Sequence, residues 1–302
     1  MAFLKPNLFV IGAMKSGTTY LSVLLNSHPS IFICYPEEPS YFVDAKQLRK
    51  IWPYMWEFGY WRSLEHYLQL FDSAGDAAVI GEASTNYSKL RLVAGVPQRI
   101  LKFNPGSRFI YLMRDPVERT ISHYWHMVLY HSEHRPMLSA IWKDSQFCDV
   151  SYYAMQLKAY IDLFGRDRIK IVTYEELTRN PHNTIRNLYE WLGVDCLFIP
   201  PGISQPENVT PLEVERARGR GVLERFRRSA FWSAVSPHVP RALRSVARPL
   251  ALRKVNRRSV SLAEVIRYLR AIQRKQTEEL IQLLGRDFSQ WTTLYGEDGE
   301  RA

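Results

Sequence analysis

Between Gly12 and Thr19 the sequence runs GAMKSGTT, with a lysine between two glycines and two hydroxyls directly after the second. These residue types in this order suit a phosphate. The glycines let the backbone turn tightly and bring several N–H groups to one point, and Lys15 adds charge. Thr18 and Thr19 open a helix whose positive end faces the same place. A Walker A loop carries its lysine directly after the second glycine. Here Thr18 holds that position and the lysine stands earlier, at Lys15, giving G-x-x-K-x-G-T-T. A triphosphate with magnesium loses its usual lysine contact in such a loop, so a ligand with fewer phosphates, bound without a metal, suits it better. The expected contacts are Lys15, Ser16, Gly17, Thr18 and Thr19.

Further candidates lie downstream. At Arg114-Asp115-Pro116-Val117-Glu118-Arg119, followed by Ser122, an arginine fork and a hydroxyl can together hold a terminal phosphate. Ser122 is expected on the helical face shared with Glu118 and Arg119. Glu37 and Glu38 lie between two prolines and among aromatics. They are candidates for a partly desolvated acid with a raised pKa, able to take a proton near neutral pH. His123, His126, His131 and His134 crowd one segment, but no nearby Cys or acid beyond Glu133 has convincing ligand spacing, so no metal site is assigned.

These groups need elements to position them. Leu8–Ile11 reads as a short buried strand ended by Gly12, and Tyr20, Leu21, Leu24 and Leu25 follow at helical spacing. Further strands are expected at Ile31–Ile33, Ala78–Gly81, Arg108–Met113 and Ile169–Thr173. Helices are expected at about 90–103, 150–165, 183–192 and 262–284. Asp115 is a good N-cap, Pro116 suits the first helical position and Glu118 can close a capping box. Arg114 therefore stands at the carboxyl end of a strand, where open α/β sheets bind ligands. The aromatic-rich stretch 46–72 is either core or a wall that stacks on an acceptor. The expected fold is α/β, a P-loop-like central, mostly parallel sheet with helices on both faces. The whole of 1–302 is expected to form one domain with a variable basic helical segment at about 212–260 and a C-terminal helix at about 261–292.

The Gly12–Thr19 loop resembles the 5′-phosphosulfate loop of sulfotransferases that use 3′-phosphoadenosine 5′-phosphosulfate (PAPS), of the carbohydrate type and its bacterial relatives. R-D-P-x-x-R-x-x-S is similar to the family's 3′-phosphate motif, which assigns that phosphate to Arg114 and Ser122. E-P-S-Y-F at Glu38–Phe42 is similar to the family's K-E-x-x-F-F from its glutamate onward, which makes Glu38 the acceptor base. Glu37 stands where the family has lysine, and Ser40 where a histidine is common. G-E-x-S-x-x-Y at Glu82 also resembles the family, and Glu82 ranks below Glu38, in a supporting role. The Y-E-E-L run at Tyr174 and L-L-G-R-D-F-S-Q-W at Leu283 resemble structural parts of the same family. The family's basic loop over the nucleotide has only Arg216, Arg218 and Arg220 as candidates. The resemblance implies PAPS as donor co-substrate without a metal, Lys15 and Glu38 as catalytic residues, and sulfuryl transfer to a hydroxyl or amine. Whether His123 or His126 contacts the acceptor is left open. Two separated phosphate sites distinguish this ligand from ATP.

The chain has 302 residues, 46% of them hydrophobic, enough for a sizeable core. No apolar run approaches the about 20 residues that span a bilayer, and no secretory signal is evident. Cys34, Cys148 and Cys196 form no zinc or redox spacing and fit a reducing compartment, so a cytoplasmic protein is expected. The net charge of +10 is unevenly placed: Arg216–Arg258 holds thirteen Lys/Arg against Glu224, a local +12, and the rest sums to −2. Residues 222–258 can contact an anionic membrane; nucleic acid is not expected as a partner. The alternatives are a P-loop kinase or NTPase and a non-catalytic protein that binds polyanions or membranes.

Overall fold

Short apolar runs without polar alternation make strands that are covered on both faces. Five such strands form one parallel sheet here: β1 (Leu8–Gly12), β2 (Ile31–Ile33), β3 (Val79–Ala83), β4 (Arg108–Met113) and β5 (Ile169–Thr173), in the order β2-β3-β1-β4-β5. The computed structural model describes residues 4–131, 133–204, 211–217 and 252–296. β1 is central, flanked by β3 and β4, and the alternation of its side chains splits the core into two layers. Phe9 and Ile11 join Phe109, Tyr111 and Met113 on one face, while Leu8 and Val10 join Ile110 and Leu112 on the other.

Helices close both faces. Leu21, Leu24 and Leu25 of the helix Thr18–Asn26, with Ile185, Leu188 and Leu192 of Pro181–Leu192, cover the Leu8–Val10 face. The opposite face takes Val117 and Ile121 of Pro116–Tyr130, Leu157 of Tyr153–Phe164, and Leu269 and Leu280 of Ala263–Leu284. The α/β architecture with helices on both faces is therefore as expected from the sequence.

Several boundaries differ. The third strand extends to Ala83 because it pairs with β1 through Leu8↔Gly81, Phe9↔Glu82 and Val10↔Ala83, so Glu82 lies inside the sheet rather than after it. The helix expected from about residue 90 begins at Val96, where Gly95 takes a positive φ of 76° as cap and Pro97 occupies the first turn. The helix expected from 183 starts at Pro181. The aromatic stretch divides: Tyr67 and Phe71 are fully buried, whereas Trp52, between the short helices Ala45–Ile51 and Pro53–Glu57, and Tyr54 of the second line a cleft.

Of the basic helical segment expected at about 212–260, residues 218–251, Arg218 and Arg220 among them, lie outside the described residues. At both edges of the stretch 212–260 expected to be helical, the chain is instead extended: an antiparallel pair, β6 (Glu213–Ala217) and β7 (Leu252–Asn256), is registered Val214↔Val255, each strand taking its hydrogen bonds from the other. β6 packs on the helix Pro116–Tyr130, and Val214 is buried in the core.

Leu280, fully buried on the core-facing side of the helix Ala263–Leu284, tests how firmly that helix belongs to the core. Leu280→Ala is expected to cost about 2–5 kcal/mol, read as a lower urea midpoint with an unchanged m-value.

Candidate functional site

The segments leaving the carboxyl ends of the parallel strands line a single cleft of about 840 Å³. After β1 come Lys15, Gly17, Thr18 and Thr19; after β2, Glu38. Thr85, Asn86 and Lys89 follow β3, Arg114 follows β4 and Tyr174 follows β5. The helix Pro116–Tyr130 adds Glu118 and Ser122. The sequence-predicted residues thus meet at one place, Lys15 and Arg114 included. Ser16 is the exception: it is fully buried, does not line the cleft, and its N–H donates to the Ala13 carbonyl at 3.2 Å.

The first loop is set by a β-bulge. The β1–β4 register shifts between Val10 and Gly12, and the Ala13 N–H then donates to the Leu112 carbonyl at 2.6 Å. Gly17 caps the following helix at φ 93°, with no capping side chain, so the first-turn N–H groups have no side-chain acceptor at the cap. A Cβ on Gly17 would come within 3.0 Å of the Tyr174 ring. Lys15 itself has φ 69°. Burial lowers its pKa, and the nearby positive charges of Arg114, Arg257 and Arg119 lower it further.

Glu38, at φ 61°, is held by its N–H on the Ala83 carbonyl at 2.8 Å and by Thr85 Oγ1, which donates to Oε1 at 2.6 Å. Its second oxygen, Oε2, is buried without a hydrogen-bond partner. Ser40 has φ 54°, so Lys15, Glu38 and Ser40 are the non-glycine positive-φ residues among those described. All three sit at or beside the cleft, where backbone strain gathers when function requires a fixed geometry. Of the adjacent pair, Glu37 has its pKa raised by burial, which outweighs the hydrogen bond from Thr19 Oγ1 at 3.0 Å.

Glu82 lies behind this loop, fully buried and outside the cleft lining. Tyr67 and Tyr87 hydroxyls donate to its Oε1 at 2.5 and 2.9 Å, and Ser84 Oγ donates to Oε2 at 2.8 Å. Ser84 Oγ in turn accepts the Ser40 N–H at 3.2 Å, so Glu82 braces the segment that carries Glu38.

Arg114 lies 4.8 Å above the Tyr174 ring and shares a 3.4 Å contact with Glu118, while its carbonyl accepts from Tyr153 at 2.7 Å. Asp115 caps the helix through Val117 and Glu118 N–H groups, but Glu118 does not close the capping box. The Asp115 N–H goes to Glu175 Oε1 at 3.0 Å instead, and Asp115 Oδ2 accepts Leu294 N–H at 2.9 Å. Glu175 also accepts from Trp291 Nε1 at 3.1 Å, so Y-E-E-L and the C-terminal run both brace the Arg114 corner. A closed capping box does occur one element away, at Thr173 and Glu176. Arg119 does not share the Ser122 face: it is fully buried, bonded to Ser151 and to the Phe147 carbonyl.

Three groups of lining residues were not singled out as contacts from the sequence or were left open there. Lys89 is buried, donates to Asn86 Oδ1 at 2.7 Å and stands 4.9 Å over the Trp52 ring; burial pushes its pKa down to about 8. Arg257, from the segment read as a variable basic region, reaches the cleft with its guanidinium 5.6 Å over Trp125. His123, His126 and His131 line the cleft as well, each with its pKa lowered chiefly by burial, that of His126 to about 4. Sequence spacing flagged the histidines, whereas only tertiary pairing brings in Lys89 and Arg257. Among the described residues no group of three or more His, Cys, Asp or Glu is placed to hold a metal ion, and no helix is long and apolar enough to cross a membrane.

Residues 6–198 match the model of the family described as "Sulfotransferase family". The chain is 21% identical over 295 residues to heparan sulfate glucosamine 3-O-sulfotransferase 3A1 of Mus musculus, covering 94% of this chain and 64% of that protein. It is 23% identical over 207 residues to bifunctional heparan sulfate N-deacetylase/N-sulfotransferase 2 of Homo sapiens, covering 63% of this chain and 22% of that protein. The chain thus spans less than two thirds of either relative's length. In fold it is similar to a sulfotransferase crystal structure from Alicyclobacillus acidocaldarius, with TM-score 0.69 and 23% identity, covering 95% of this chain and 99% of that one.

Burial raises the Glu82 pKa from 4.5 to about 7 despite its three donors. The folded state therefore holds a proton that the unfolded state releases above pH 4.5, so this contribution to stability falls as pH rises toward 7. Glu82→Gln cannot titrate. The stability difference between the two proteins, measured by chemical denaturation at a series of pH values, is expected to shift against the wild type by up to about 3 kcal/mol over that window.

Proposed function

The chain belongs to the sulfotransferase family, and on that premise we propose that it moves the sulfuryl group of PAPS onto an acceptor hydroxyl or amine. The observation that carries this reading is that one cleft contains Lys15 with its glycine turn, Arg114 with Ser122, and Glu38. The residues fit a donor with two anionic ends. Arg114 and Arg257 are close enough to Lys15 to add to the lowering of its pKa by burial, and such a cluster favours a polyanionic ligand. The family match does not favour a kinase or NTPase, or a non-catalytic polyanion-binding protein.

When bound, the donor supplies the sulfuryl group: the bond from sulfur to its 5′-phosphate oxygen breaks as the acceptor heteroatom bonds to sulfur. Lys15 and the N–H groups of Gly17 to Thr19 hold the 5′-phosphosulfate and offset charge growing on that phosphate oxygen. Arg114 and Ser122 hold the 3′-phosphate, with Arg257 as a further cation at that end, since its charge acts on Arg114 and Glu118. Glu38 takes the acceptor proton on Oε2, the oxygen that Thr85 leaves free. The acceptor belongs to the carbohydrates, lipids or small natural products. A cytoplasmic site of action is part of the same reading, in keeping with three unbridged cysteines, as is peripheral contact of 222–258 with an anionic membrane.

Labelled-sulfate transfer and calorimetry with adenosine 3′,5′-bisphosphate test these roles. Glu38→Gln is expected to lower turnover by about 10²–10⁴-fold and to leave bisphosphate affinity unchanged; near-normal turnover would remove Glu38 as the base. Lys15→Ala is expected to reduce both. Arg257→Ala should weaken bisphosphate binding by about tenfold or more, and an unchanged affinity would exclude it from the nucleotide end.

A further inference from the structure

The cleft is electrically lopsided. Lys15, Arg114 and Arg257 gather at the nucleotide end, where they act on one another. The same cleft is also lined by an apolar set, Trp52, Pro53, Tyr54 and Met55, with Ile121 and Met127 of the helix Pro116–Tyr130. Met55 fixes this wall to the base, because its sulfur accepts from Asn86 Nδ2 at 2.9 Å and lies 3.6 Å from Ser40 Oγ, two residues from Glu38.

The lysine on this side is committed. Lys89 Nζ donates to Asn86, lies over Trp52, and its charge acts on Glu38, so cation and carboxylate offset each other. His126 and His131 are uncharged at neutral pH, since burial and the charges around them hold their pKa values below the ordinary range. Glu37 is turned to Thr19 and Glu118 to Arg114. An anionic sugar chain would bring carboxylates and sulfates against this wall and, among the described residues, find no uncommitted cation there.

We propose that the acceptor is an uncharged alcohol carried on an apolar body, seated between Trp52–Met55 and the Ile121–Met127 face beside Glu38. This rests on the sulfuryl-transfer reading above. The alcohol O–H bond breaks and its proton goes to Glu38. The oxygen bonds to sulfur as the sulfur–phosphate oxygen bond breaks, giving an anionic sulfate monoester and adenosine 3′,5′-bisphosphate.

The probes are 2-naphthol, octan-1-ol and a heparin-derived hexasaccharide, each titrated into the full-length protein saturated with adenosine 3′,5′-bisphosphate and each offered as acceptor with labelled PAPS. At least one alcohol is expected to bind about tenfold or more tightly than the hexasaccharide and to become labelled. 2-Naphthol alone would mark an aromatic acceptor and octan-1-ol alone an aliphatic one. Tyr54 is 69% exposed, so Tyr54→Ala is not expected to disturb the fold. It should weaken alcohol binding about tenfold with bisphosphate affinity unchanged. Preferential binding or labelling of the hexasaccharide, no binding of either alcohol, or alcohol binding indifferent to Tyr54→Ala would each overturn the proposal. A separate titration without acceptor distinguishes the deeper failure: a protein that does not bind the bisphosphate overturns the sulfuryl-transfer reading as well.

Discussion

Lys15, Arg114 and Arg257 repel one another across a cleft that also contains Glu38, and the rest of the structure is arranged around keeping them there. Like charges brought together out of water are unfavourable until an anion arrives. A loose scaffold would let them drift apart, so each is tied to a rigid element. Lys15 sits in the bulged turn after the central strand, Arg114 at the end of its neighbour, and Arg257 just beyond a registered antiparallel pair.

The bracing around Arg114 shows how distant sequence contributes. Asp115 caps one helix and holds the Leu294 N–H, while Glu175 receives the Asp115 N–H and the Trp291 indole. Trp291 and Phe288 are fully buried and stacked 4.4 Å apart, so the last described segment anchors the corner from behind. The acid pair Glu38 and Glu82 divides work in a similar way. One lines the cleft and keeps a buried oxygen without a hydrogen-bond partner, and the other, sealed by three hydroxyls, stiffens the loop that carries the first.

Much of this was legible in the sequence because the informative signals are local. Four apolar residues followed by Gly12 mark a buried strand and its turn, and Asp115-Pro116 marks a helix start; both features appear where expected. Arg114 and Ser122 line one cleft because a strand end and two helical turns fix their relation. What could not be read depends on partners far along the chain. Lys89 lines the cleft held between Asn86 and the Trp52 ring, and Trp52 is a partner that its own stretch of sequence does not reveal. Arg257 enters because β7 pairs with β6, and neither strand carries a strong apolar pattern. Ser16 lay inside the motif by spacing, yet the turn spends its N–H internally and buries its hydroxyl. Glu118 had the right offset for a capping box but was drawn to Arg114 and Thr293.

The β6–β7 ladder has one more consequence. Its pairing from Glu213↔Asn256 to Ala217↔Leu252 joins two segments that are far apart in the sequence. Arg257 follows directly and takes its position from that ladder, with its N–H on the Leu212 carbonyl at 2.9 Å. A guanidinium that lines the cleft thus owes its place to two strands remote in sequence and adjacent in space.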